Sequence, residues 1–162
     1  MIAAVSSIPE QELAAALAKL VATELIFQRG VPPDATYRFK HALVQDAAYA
    51  SLLHTRRALH AAIVKELVAG SVSGNEIKPE LLAHHCAEAG MAEDAVRHYL
   101  EAFQRSVAHS ALAEAAVMLD KALGQVAQLP AGLARDRNEL EVQCARGAVH
   151  MALKGARGRR DG

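Results

Sequence analysis

Residues 37–53, YRFKHALVQDAAYASLL, change their period at a single corner. Tyr37 and Phe39 alternate with Arg38 and Lys40, the two-residue rhythm of a half-buried strand. From His41 onward the rhythm becomes three and four. Leu43, Ala47 and Ala50 form one stripe, with Val44, Ala48 and Leu52 beside it. A strand therefore runs straight into an amphipathic helix. Upstream lies ELIFQRGVPPDA, residues 24–35, in which Pro32 and Pro33 bar a helix and favour a turn. Two strands, near Leu25–Gln28 and Thr36–Lys40, make a β-hairpin of this stretch.

Working outward, PEQELAAALAKLVATE (Pro9 to Glu24) reads as a helix. Ser7 is its candidate cap, Pro9 and Glu10 lie in its first turn, and Leu13, Leu17, Leu20 and Val21 form its stripe. Helix, hairpin and helix in this order suggest the end of a winged-helix module. After a break at His54-Thr55, a further helix would turn Leu59, Ala62, Ile63 and Leu67 one way and end at Gly70. GSVSGNEIKP, residues 70–79, is the Gly/Ser-rich linker and the expected domain boundary.

Beyond it, four helices are predicted: Pro79–Ala89, Ala92–Ala108, Ser110–Gln128 and Ala134–Leu153. The last carries Leu140, Cys144, Ala148 and Met151 as its stripe. The very short loops require antiparallel helical hairpins. The expected division is thus 1–69, a partial winged-helix module with its following helix; 70–79, linker; 80–153, helical hairpins; and 154–162, a disordered tail. The fold class is mostly α with one small β-hairpin.

Leu82, Ala83, Gly90, Ala95, Tyr99 and Ala102 stand at the spacing of a tetratricopeptide repeat, with small residues where helices cross and large ones filling the groove beside them. Cys86 replaces the usual tyrosine, and tryptophan is absent. A second set, Ala115, Leu119 and Ala122 with Pro130 after it, follows about twenty residues on rather than ~34, so the repeats are degenerate.

The 162 residues can bury a real core, and 18 basic residues balance 18 acidic ones. No global field favours nucleic acid or an anionic membrane. Neither a signal peptide nor a run of about 18 apolar residues is present, which reads as cytoplasmic. Cys86 and Cys144 each sit in an apolar helical run and read as buried, reduced thiols.

The hairpin, the run at residues 37–53 and LLAHHCAEAG together resemble a known arrangement. It is the segment following the nucleotide-binding domain of large bacterial signal-transduction ATPases of the AAA/STAND type. The resemblance is to those linked to a class III adenylate/guanylate cyclase, or to related regulators with a LuxR-type DNA-binding domain, and it spans about Leu13 to Gly155. It implies a winged-helix end followed by a helical-repeat sensor arm. Its implied partners are the nucleotide-binding domain of the same or a related polypeptide and a protein or small-ligand effector on the repeats. The parent activities belong to other domains. This sequence contains no GxxxxGK[ST] loop and no apolar strand ending in paired carboxylates. It reads as a non-catalytic fragment, truncated or frameshifted, that needs no cofactor of its own.

Within that resemblance, His41 at the strand-to-helix corner matches a histidine that reaches the ADP phosphate. Ala42 stands where the family has Asp, and Lys40 where it has Met. An imidazole at a helix N-terminus beside a lysine suits a phosphate, so His41 and Lys40 are the candidate phosphate sensors of the complete protein. His84, His85 and Glu88 tempt a metal reading. However, adjacent histidines point about 100° apart on a helix and share one ion poorly, so packing is expected instead. Arg29, Arg38 and Lys40 place positive charge on the hairpin, with Arg56-Arg57 at the break. A fragment of a DNA-binding regulator is the runner-up, disfavoured by zero net charge and a preceding helix poor in basic and amide groups. A dimerising scaffold is the third reading.

Overall fold

The computed structural model describes residues 2–6, 8–32, 34–52, 55–72 and 77–158. Among them are eight helices and one two-stranded antiparallel sheet. The fold is mostly helical, as the periodicity requires. Its contacts divide into two units, Met1–Arg56 and Arg57–Gly162.

The first unit holds α1 (Ile2–Val5), α2 (Glu10–Ala22), β1 (Ile26–Arg29), β2 (Thr36–Phe39) and α3 (Ala42–Ala50). Ser7 lies outside the described residues; Pro9 occupies the cap of α2, followed by Glu10 and Glu12 where the helix dipole favours carboxylates. α2 ends in a left-handed residue that is not glycine. Glu24 has φ 57°, its N–H donates to the Val21 carbonyl, and the next N–H, of Leu25, reaches back to Leu20. The strands pair Ile26 with Phe39 and Gln28 with Tyr37, so these four share one face. The Asp34 N–H closes the loop on the Val31 carbonyl; Pro33 is outside the described residues. Ile26 is the buried residue here, at 5% exposure. Of the two adjacent stripes in the run at residues 37–53, Val44 and Leu52 are half-buried, whereas Leu43 is 82% exposed.

The second unit carries the core. α4 (Arg56–Val72) brings Val64 and Leu67 to a cluster shared by α5 (Pro79–Ala89), α6 (Ala92–Ala108), α7 (Leu112–Val126) and α8 (Leu133–Gly158). Consecutive helices from α5 to α8 pack on one another, and the short links make them hairpins. Ala83, Ala95, Ala115 and Ala122 are completely buried, and Tyr99, Leu119, Val126 and Val142 fill the space beside them.

Several expectations are corrected. The unit boundary falls at Arg56, not in 70–79, because α4 packs with the second unit; residues 73–76 of that linker lie outside the described residues. Gly70 does not end α4, which continues to Val72. The buried residues of α4 are His60 and Val64, with Leu59, Ala62 and Ile63 only half-buried. His54, at the expected break, is outside the described residues. α8 stays helical to Gly158, beyond the tail expected from 154; residues 159–162 are not described. Its inward stripe is Val142, Ala145, Val149 and Leu153, whereas Leu140, Cys144, Ala148 and Met151 face solvent. Cys144 is therefore an exposed thiol and only Cys86 is buried.

The α5–α6 and α6–α7 reversals share one device. At Gly90 (φ 78°) the N–H of Met91 donates to Cys86 and that of Gly90 to Ala87. At Ser110 (φ 58°) the N–H of Ala111 donates to Ser106 and that of Ser110 to Val107. These are paired bonds of the same left-handed helix end. Since an L side chain is strained there, Gly90→Ala is expected to cost about 1 kcal/mol, and Ser110→Gly to stabilise by up to about 1 kcal/mol. Urea midpoints at matched slope check both. Leu119→Ala, at a fully buried site, is expected to cost about 2–5 kcal/mol. Val117→Ala, on the exposed side of the same helix, should cost under about 0.5 kcal/mol in the same assay.

Candidate functional site

Three constellations carry chemistry, one in the first unit and two in the second. In the first unit, β2 ends at Phe39 and α3 begins at Ala42, leaving Lys40 and His41 at the corner. His41 caps α3 with extended backbone; its carbonyl accepts from Val44 and Gln45, and its side chain makes no cap bond. Lys40 is engaged from two sides. Its Nζ lies 2.6 Å from Glu24 Oε2 and 5.6 Å from the centroid of the Phe27 ring. The Lys40 ammonium in turn holds the Glu24 carboxyl below its usual pKa. On the hairpin face away from Ile26, Phe27, Arg29, Thr36 and Arg38 line a shallow depression of about 330 Å³.

In the second unit, a groove of about 390 Å³ opens where α5 begins, α6 ends and α7 begins. Lys78 and Arg105 bring positive charge to it, Glu80 and Glu114 negative charge, and His109 and Met118 complete the lining. The His109 ring is fixed by a 2.8 Å contact between its Nδ1 and the Arg105 carbonyl oxygen. Such a lining offers an extended peptide partners of both signs along one path.

Of the third constellation the sequence marked His84 and His85 but not His60. His60 on α4 meets His84 and His85 on α5, with ring centroids 5.0–5.9 Å apart. The Nδ1 atoms of His60 and His85 lie 2.9 Å apart. One of these nitrogens must carry the proton and the other must be bare, so the contact fails when both rings are charged. Burial, then the neighbouring His60 and His84, push the His85 pKa below its ordinary value, and Glu88 pulls weakly the other way. The signal that could have found His60 is its place at i, i+4 and i+7 with Val64 and Leu67, the residues α4 turns to the core. Among the described residues, no three His, Cys, Asp or Glu side chains are placed to hold a metal ion. Burial also pushes the Cys86 thiol up, which keeps it unreactive. Among the described residues no helix is long and apolar enough to cross a membrane.

No family model matches the chain. No solved structure matches it either. Over 118 residues, 72% of this chain, it is 30% identical to an uncharacterized protein of Rhizobium meliloti (strain 1021). The match takes up 12% of that relative, so the chain spans about an eighth of its length.

The histidine cluster has a pH consequence. His85 is held neutral in the fold, so between its lowered pKa and the ordinary value of about 6.5 the unfolded chain binds more protons. Stability is therefore full above about pH 6.5 and falls as pH drops through that window. Urea midpoints between pH 8 and pH 5 (about one His titration range on either side) should decline for the wild type. They should decline less for His85→Asn.

Proposed function

We propose that this chain is a non-catalytic regulatory and protein-interaction module of a larger signal-transduction ATPase linked to a nucleotide cyclase. In this reading the first unit is the hairpin end of a winged-helix module, and α5–α8 are degenerate tetratricopeptide-like hairpins. The observation that carries the proposal is the state of the first unit. Ile26 is buried there, while Phe27, Val31, Phe39 and Leu43 are 57%, 78%, 42% and 82% exposed. A small unit with so little apolar surface removed from water cannot hold its own fold economically and gains from a covering domain. The relative's far greater length supports a place among other domains.

The proposed partner at that surface is the nucleotide-binding domain, with His41 and Lys40 sensing its phosphate. Glu24 already neutralises Lys40, so an arriving phosphate would compete with an internal carboxylate. That competition would tie the nucleotide state to the left-handed end of α2 at Glu24. The groove of the second unit would take the effector, a protein segment or small ligand bearing both charges.

One observation favours a second reading, a DNA-binding regulator. Arg29 and Arg38 share the solvent face of the hairpin with Phe27, and a basic ribbon can lie along phosphates.

Calorimetric titration of the chain with the ADP-loaded nucleotide-binding domain of a parent ATPase separates the two. Saturable binding, weakened about tenfold by His41→Ala (about 1.4 kcal/mol), is the expected result. Absence of binding at high micromolar chain would sink the proposal. Tight binding to duplex DNA instead, with a log–log salt slope that falls by about one unit in Arg38→Ala, would establish the second reading.

A further inference from the structure

α6 and α7 each have a helix packed on both sides. α8 is built for the same situation, yet among the described residues only one of its sides is covered. At about 100° per residue, Val142, Ala145, Val149 and Leu153 lie together on the side that joins the core cluster. Leu133, Leu140, Cys144 and Met151 fall within about 40° of one another on the opposite side. Leu133, Leu140 and Met151 are 89%, 66% and 72% exposed, and Cys144 is exposed as well.

We propose that this outer side of α8 is a self-association surface, on which α8 of a second copy docks antiparallel about a two-fold axis. Two independent features select a second copy as the occupant. The first is spacing. Leu140, Cys144, Gly147 and Met151 follow one another by four, three and four residues, a pattern that reads the same in both directions. A two-fold axis between residues 145 and 146 sets Leu140 against the partner's Met151 and Cys144 against the partner's Gly147. An isologous contact must be self-complementary in this way. The small residues at its centre let the helix axes approach, and the large ones close the two ends. A Cβ added at Gly147 would meet nothing in the chain itself, so the fold of the single copy does not require glycine there.

The second feature is charge. Asp136 and Lys154 occupy the same flank of the stripe near its two ends. An antiparallel two-fold brings like flanks together and opposite ends together. Asp136 of each copy then meets the partner's Lys154, giving two ion pairs that a wrong register would lose. A single helix pair buries less than the roughly 1,600 Å² of a standard interface, so the association is weak and concentration-dependent. It is separate from the groove on α5–α7 and from the proposed nucleotide-binding partner.

Sedimentation equilibrium of the full chain tests this. A monomer–dimer equilibrium at micromolar concentration is expected. Leu140→Glu with Met151→Glu, both at exposed sites, should give a monomer of unchanged helix content. Asp136→Lys should weaken the dimer about tenfold, and adding Lys154→Asp should restore it. A short bis-maleimide should trap the wild-type dimer through Cys144, and Cys144→Ser should abolish the trapping without abolishing association. A wild-type chain that stays monomeric to high micromolar concentration overturns the proposal. So does a dimer that survives the double glutamate substitution.

Discussion

Close approach of helix backbones at alanine governs the second unit. Ala83, Ala95, Ala115 and Ala122 show no exposed surface, and each lies in a helix that packs on its neighbour in sequence. A larger side chain at any of them would push two helices apart and open the space that Tyr99 and Leu119 now fill. Helices held so near one another leave little room for a connection. The chain meets that demand with left-handed residues at Gly90 and Ser110, which reverse direction while satisfying the last carbonyls of each helix. Close crossings and abrupt ends are therefore one constraint seen twice.

The same constraint places the histidines. α4 joins the cluster through Val64 and Leu67, and its stripe begins one turn earlier with a polar ring, His60. Inside that layer a charged imidazole is costly unless partnered. The contact with His85 supplies a partner, but only while the pair shares a single proton between the facing nitrogens. The contact between buried His60 and His85, whose pKa is held down, is thus the acid-sensitive point of the unit.

Much of the fold was legible because local signals agreed. Pro79 at the start of α5 and Gly90 at its end gave that helix its limits. The alternation at Tyr37 and Phe39 gave the strand its faces, and α6 emerged with the limits its stripe implied. What failed was the direction of faces. On α8, Leu140 and Met151 are the larger apolar residues, so the sequence favours their side for the core; the neighbouring helix instead covers the valine side, Val142 and Val149. Periodicity finds a stripe but cannot say which of two stripes meets the neighbour. On α4 the stripe of Leu59, Ala62, Ile63 and Leu67 pointed the core a little to one side of where it lies, at His60 and Val64, because a histidine does not count toward an apolar stripe. The corner at Lys40-His41 was legible because its residues adjoin in sequence. The His60–His85 contact joins residues 25 apart on separate helices, and nothing local to either announces it.

The two units differ in what holds them. The second buries a contiguous cluster drawn from five helices, α4 to α8. The first is tied by a four-residue register, the Glu24–Lys40 ion pair and the aromatic contact over Phe27, with Ile26 as its buried side chain. Exposed ion pairs contribute little, about 0–1 kcal/mol each, so the first unit has a small reserve against any group that competes for Lys40. The second unit has a large one, because disturbing it means opening crossings sealed by alanine. A lightly held element opens locally at lower cost than a tightly packed helical layer, so the first unit is the more readily rearranged of the two. The strength of each unit follows from where the sequence puts alanine and where it leaves phenylalanine and leucine in water.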